Sequence, residues 1–226
     1  MNGALTLDAI TLRYGDRAAL DAVSLSVGAG DRLAIVGRSG AGKTSLLRVI
    51  AGLQTPDAGS VRLGDTLATE GQTLHVPPED RRVSMVFQQL ALWPHMTVEK
   101  TLCWVARGKT ADARREASHQ LAERVGLGDR LSAFPSELSG GEQQRLAYAR
   151  ALASDPTVLL LDEPFAHLDA PLRAQLITDL LALVDERKTT LVLVTHQSDT
   201  VQRLATQVVV LASGKIVDSG DAASLL

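Results

Sequence analysis

Residues 37–44, GRSGAGKT, follow the pattern G-x-x-x-x-G-K-[ST] between the apolar run RLAIV and the helical pattern KTSLLRVIAGL. That arrangement suits a polyphosphate. Its glycines let successive backbone N–H groups wrap phosphate oxygens, and the start of the following helix adds a favourable dipole. Lys43 can neutralise the β- and γ-phosphates, and the Thr44 hydroxyl can ligate Mg²⁺. Gly37, Arg38, Ser39, Gly40, Ala41, Gly42, Lys43, Thr44 and Ser45 therefore form the candidate nucleotide cradle. Phosphoryl transfer also needs an acid to hold the metal and a group to orient the attacking water. VLLLDEP at 158–164 offers both. Asp162 ends an apolar run that reads as a buried strand, where a carboxylate is costly unless it meets a cation. Glu163 follows at once and Pro164 stops the strand. Neighbours on a regular strand point to opposite faces, so both acids serve one site only if the chain turns there.

A second glycine-bearing helix start lies at 138–150, LSGGEQQRLAYAR. Ser139 and Glu142 have the spacing of a capping box, an ordinary way to begin a helix. Gly140 and Gly141 do not fit that role, because each glycine inside a helix costs about 1 kcal/mol relative to alanine. Their lack of side chains lets an anion approach the backbone closely.

The elements that must position these residues alternate between β and α. ALTLDAITLRY and DAVSLSV alternate apolar and polar residues, and GSVRLGD and RRVSMVFQ read as further strands. Gly52 is placed to stop the helix that starts at the phosphate loop. Residues 97–108 and 111–125 read as helices, the second with Ala113, Ala117, Leu121 and Val125 at four-residue spacing. TVLLLDE and TTLVLVTH have the continuous apolar character of strands buried on both faces. Asp169 caps a helix over about 170–187, and QVVVLA leads into a hairpin through SGKIVDSG. The expectation is one α/β domain over 1–226. Its catalytic core, with an N-terminal antiparallel β portion, covers 1–89 and 156–226. An inserted helical subdomain covers 90–155.

With 226 residues, 45% hydrophobic and 22% charged, the chain has the balance of an ordinary globular protein. A net charge of -3 without blocks of like charge argues against a nucleic-acid partner. Cys103 is the single cysteine, which excludes an internal disulfide, and its apolar setting TLCWVA predicts a small buried hydrophobe. The N-terminus has no secretory pattern, and the apolar runs fall short of the about 20 residues a spanning helix needs.

These motifs in this order resemble the ATP-binding subunits of ABC transporters, with a P-loop NTPase core, over nearly the whole chain. LSGGEQQ matches that family's signature, VLLLDEP its Walker B strand, VFQQ at 86–89 its Q-loop, and LVTH at 193–196 its switch histidine. The resemblance implies that Tyr14 stacks on adenine. It implies that Gln88 reaches Mg²⁺ and the attacking water, and that Asp162 meets the metal through water. Glu163 is then the general base, His196 contacts the γ-phosphate, and Asp169 belongs to a dimer interface. It further implies that two subunits pack head to tail, so that Ser139, Gly140, Gly141 and Glu142 of one close on the ATP held by the other. Two departures stand out. AHLD at 166–169 has Ala166 and His167 where the family commonly reads Ser-Ala, and Gln197 follows the histidine where aspartate is frequent. Neither removes a catalytic group, so an active ATPase is expected. His75, His95 and His119 are read as structural.

Motors of this family work with multi-span membrane permeases, which dock on the helical subdomain, and some with an external substrate-binding protein. The segment QLALWPHMTVEKTLCWVARG holds both tryptophans, Trp93 and Trp104, which fit either a docking patch or the subdomain's own core. ALWPHMTV is similar to importers of the spermidine, iron, sulfate and thiamine type, in a short form without their C-terminal regulatory domain. The expected location is the cytoplasmic face of the plasma (inner) membrane, as a homodimer or beside a paralogous ATPase. Export, or a soluble ATPase of an assembly system, are the alternatives. The transported substrate is not legible.

Overall fold

Alternating apolar residues at the N-terminus make a half-buried antiparallel sheet. The computed structural model describes residues 4–108, 110–166 and 168–225. Strands β1 (Leu5–Tyr14) and β2 (Arg17–Val27) pair antiparallel, with Leu5, Leu7, Ile10 and Leu12 buried on one face. β3 (Arg32–Val36) leads through the phosphate loop into α1 (Lys43–Ala51), which Gly52 ends in the left-handed conformation. β4 (Ala58–Leu63), β5 (Thr66–Glu70) and β6 (Thr73–Leu74) complete a five-stranded sheet of order β2-β1-β4-β5-β6. TLATE at 66–70 was not expected as a strand. It pairs antiparallel with β4 in a local hairpin and with β6 on its other side, which its mixed polarity does not signal.

β7 (Val83–Val86) is followed by α2 (Val98–Val105), α3 (Ala111–Arg124) and α4 (Gly140–Ala153), which pack on one another. β8 (Val158–Asp162), α5 (Ala170–Arg187), β9 (Thr190–Val194), α6 (Ser198–Leu204), β10 (Gln207–Ala212), β11 (Lys215–Asp221) and α7 (Ala222–Leu225) close the chain. The second sheet has the order β11-β10-β3-β9-β8-β7, parallel except for its edge strand β11. Its central strands are covered on both faces. Val158, Leu160, Val192 and Val194 join α1 and the antiparallel sheet in one core. Leu159, Leu161, Leu191 and Leu193 join α4, α5 and α6 in the other. The continuous apolar runs of β8 and β9 follow from this double burial.

Three sequence expectations change. Ala113 and Ala117 are exposed, and α3 buries Ser118, Leu121 and Ala122, with Val125 just beyond its end. A four-residue step overshoots the helical turn, so Ala113 lies about 80° around from Leu121. Cys103 is half-buried, because α2 turns Val98, Thr101 and Leu102 inward and leaves Cys103 beside that face. The two tryptophans part company: Trp104 is 73% exposed, while Trp93 is half-buried beneath the Arg150 guanidinium, 5.2 Å from its ring centroid. Among the described residues no helix is long and apolar enough to cross a membrane.

Candidate active site

The functional loops gather because parallel strands end level. Ile35 of β3 and Asp162 of β8 both pair with Val194 of β9, and Val86 of β7 pairs with Leu161. The phosphate loop, the Asp162–Glu163 pair, His196 and Gln88 thus leave the sheet along one carboxyl edge. In α/β sheets that edge is where ligands bind.

The phosphate loop is held by two close approaches that only glycine permits. A Cβ on Gly37 (φ +150) would lie 2.1 Å from the Leu211 carbonyl oxygen, and one on Gly42 (φ +105) 2.2 Å from that of Ala19. Gly42 also starts α1 without a side-chain cap, which leaves first-turn amides to serve an anion. Lys43 Nζ donates to the carbonyls of Gly37 (2.7 Å) and Arg38 (3.1 Å), so its charge is already folded over the loop.

Thr44 Oγ1 donates to Asp162 Oδ1 at 3.2 Å. Burial pushes the Asp162 carboxyl above the usual carboxylate range. The Thr44 hydrogen bond opposes that shift, and the neighbouring Glu163 charge adds to it. Glu163 resolves the problem of adjacent acids on a strand. Its φ of +48 turns the chain sharply, and its N–H still donates to Val194 O at 2.9 Å. Its Oε1 then lies 3.0 Å from Nδ1 of the exposed His196.

These groups bound one open cavity of about 580 Å³, with Tyr14, Ser39, Gly40, Gly42, Lys43, Thr44, Ser45, Gln88, Asp162, Glu163, Ala166 and His196 on its walls. Gly37, Arg38 and Ala41 line an adjoining cavity. Tyr14 is half exposed and donates to Gln54 Oε1 at 2.7 Å. Arg17, absent from the sequence expectations, lines both cavities and donates to Gly40 O at 3.3 Å. Its nearness to Tyr14 in the chain was the only hint available. The segment after Gln88 is tied down by Arg150, which donates to the carbonyls of Leu90 and Ala91.

The signature residues stand elsewhere, and none of Ser139, Gly140, Gly141 and Glu142 lines the phosphate-loop cavities. Ser139 Oγ accepts from Glu142 N at 3.3 Å, and Glu142 Oε2 accepts from Ser139 N at 2.8 Å. That backbone donor, the Ser139 hydroxyl and then Arg130 hold the Glu142 carboxyl below its ordinary range. The two glycines differ. A Cβ on Gly140 would meet nothing within 4 Å, whereas one on the buried Gly141 would lie 3.0 Å from Leu172 Cδ1. Gly141 therefore has a packing reason inside its own chain, and Gly140 does not.

Asp169 caps α5 by accepting from Leu172 N at 2.8 Å. Gln197 turns away from the cleft, its Oε1 accepting from Thr200 Oγ1 at 3.1 Å. His167 lies outside the described residues. Of the other histidines, His119 pairs with Glu99 at 2.7 Å between α2 and α3, while His75 and His95 are exposed.

A glycine loop between a parallel strand and a helix, facing acids at the end of a nearby strand, defines a P-loop nucleotide-binding core. The chain belongs to the ABC transporter family, whose model matches residues 20–166. It is 44% identical over 187 residues to the molybdenum import ATP-binding protein ModC of Shewanella sp. (strain MR-4), covering 83% of this chain and 51% of that protein. It is 40% identical over 220 residues to the spermidine/putrescine import ATP-binding protein PotA of Nitrosomonas europaea, covering 96% of this chain and 59% of that one. The chain spans little more than half the length of these relatives. Its fold superimposes with a TM-score of 0.82 and 28% identity on the dimeric ATP-binding cassette MJ0796 in a post-hydrolysis state bound to ADP and Pi, covering 96% of this chain and 98% of that one.

Proposed function

We propose that this chain is the ATP-hydrolysing motor of a membrane importer, working as a head-to-tail dimer with two composite sites. The observation that carries the reading is a division within one chain. Glu163 and His196 meet at 3.0 Å over the phosphate-loop cleft, while the signature start lies outside that cleft with Gly140 open. A second chain supplies the missing wall.

In this mechanism the loop amides and Lys43 hold the phosphates, and Tyr14 stacks on the adenine. Asp162 and Thr44 present paired hard oxygens, and the buried carboxylate is costly without a cation, so the donor set fits Mg²⁺. Thr44 would bind the ion directly, Asp162 through water, and Gln88 from the cleft wall. An ion held by these residues would supply positive charge to offset that of the phosphates. Glu163 takes the proton of the attacking water. His196, held by Glu163, contacts the γ-phosphate, and Ser139, Gly140, Gly141 and Glu142 of the other chain enclose it. Asp169 sits at the dimer seam. Release of phosphate removes the charge that both chains share, and the dimer opens.

The names of the relatives support import, and they name molybdenum, spermidine/putrescine and sulfate/thiosulfate among the cargoes. That diversity fits a motor whose cargo touches other subunits. A multi-span permease docking on the helical region, with an external binding protein, would hold the chain at the cytoplasmic face of the membrane. Whether the second ATPase chain is identical or paralogous depends on that assembly.

The test is Glu163→Gln with saturating Mg-ATP, followed by light scattering after gel filtration. Binding survives while water activation fails, so a stable dimer accumulates. A variant that remains monomeric under those conditions overturns the mechanism.

A further inference from the structure

Glu163 occupies a left-handed backbone conformation, φ +48, that a residue with a side chain adopts only at a cost of about 1 kcal/mol or more. Such a conformation persists when its surroundings over-determine it. Three anchors do so. The Glu163 N–H is held by Val194 O at 2.9 Å, and the Glu163 carbonyl accepts from Ala166 N at 3.2 Å. The third anchor comes from the signature helix. The carbonyl of Pro164, the next residue, accepts from Gln144 Nε2 and from Tyr148 Oη, the latter at 3.2 Å. Gln144 Nε2 also reaches Tyr148 Oη at 3.0 Å, so the two side chains, one turn apart on α4, close a small buried network.

We infer that Tyr148 and Gln144 are positioning residues for Glu163, acting through the Pro164 carbonyl. Neither lines the phosphate-loop cavities. Tyr148 is 2% exposed, so its hydroxyl has no solvent to satisfy it and must take an internal partner. Its ring separately packs edge-on against Phe165, centroids 6.0 Å apart. The ring thus serves the core, and the hydroxyl serves the turn that aims Glu163. The same helix begins at Ser139, so one rigid element joins the signature of a chain to that chain's own water-activating turn. This inference rests on the proposed role of Glu163.

Tyr148→Phe separates the two parts, keeping the ring and deleting the hydroxyl. Loss of one neutral hydrogen bond to the turn, with Gln144 still in place, should lower kcat for ATP about three- to tenfold. KM for ATP should stay within about twofold, because the phosphate loop is untouched. Gln144→Met removes the other donor and should act in the same direction, with a melting temperature close to wild type for the tyrosine variant. A kcat within about twofold of wild type for Tyr148→Phe overturns the inference, as does a rise in KM at unchanged kcat. Wild type and Glu163→Gln run beside them. If Glu163→Gln hydrolyses ATP at the wild-type rate, the role of Glu163 falls and the positioning role falls with it. If only Glu163→Gln is inactive and Tyr148→Phe is normal, the positioning role falls alone.

Discussion

Replacing Gly140 by alanine should make the isolated chain more stable and its ATPase slower by about tenfold or more. Gly140 is the first residue of α4 and is not among the residues with positive φ, so alanine fits its backbone. The added Cβ meets nothing within 4 Å. Alanine in place of glycine in a helix gains up to about 1 kcal/mol, and about half of that is expected in the first turn. For a domain of this size, that corresponds to a rise in melting temperature of about 1–2 °C. The same methyl group stands over the amides that a phosphate oxygen from another chain would approach to about 3 Å. Losing such a preorganised contact should cost about tenfold or more in hydrolysis. Thermal melting without nucleotide measures the first effect. Steady-state ATPase, and dimer formation in a Glu163→Gln background, measure the second. A Gly140→Ala protein that is more stable and fully active would refute the idea that this helix start faces a partner's phosphate. A drop in melting temperature would refute the open-space argument itself. Gly141→Ala is the control, because its Cβ would press on Leu172 at 3.0 Å and should bring no gain in stability.

Two further substitutions test the same architecture. Ser139→Ala deletes the α4 cap and should cost about 1 kcal/mol of stability, while hydrolysis falls far more than ATP affinity. Chiefly weakened nucleotide binding, measured by calorimetry, would contradict a contact in trans. Asp162→Asn should stabilise the nucleotide-free protein and weaken Mg-ATP binding. Burial raises the Asp162 pKa from its ordinary 3.8, so the folded state holds this proton more tightly than the unfolded chain. The contribution of Asp162 therefore falls as pH rises from 3.8 to the raised value, and the melting advantage of Asp162→Asn should grow across that window. An advantage that shrinks with rising pH would show that the carboxylate is favourably partnered without a metal.

The motifs were legible because each is local. The phosphate loop, the Asp-Glu pair, the capping box of α4 and the caps at Gly52 and Asp169 depend on residues within one or two turns of each other. The runs of β8 and β9 announced double burial for the same reason, since all positions but one in each are apolar. Burial on α3 was less legible, because exposed Ala113 and Ala117 share their residue type with buried Ala122. β5 was less legible because its pairing with β4 and β6, not its own pattern, makes it a strand.

What the sequence by itself determined is the inventory of candidate groups: a glycine loop suited to phosphate, two adjacent acids at the end of an apolar strand and a second glycine-bearing helix start. Only the tertiary structure decided how these meet. Parallel pairing of β3, β9, β8 and β7 brings Lys43, His196, Glu163 and Gln88, far apart in the chain, to one edge. The left-handed turn at Glu163 aims both acids at one cleft, and it is held by Val194, Gln144 and Tyr148 from distant elements. The contrast between Gly140 and Gly141 is also tertiary, because it depends on where Leu172 lies. Spacing along the chain carries none of this, since close approach between distant segments is set by how sheets and helices pack.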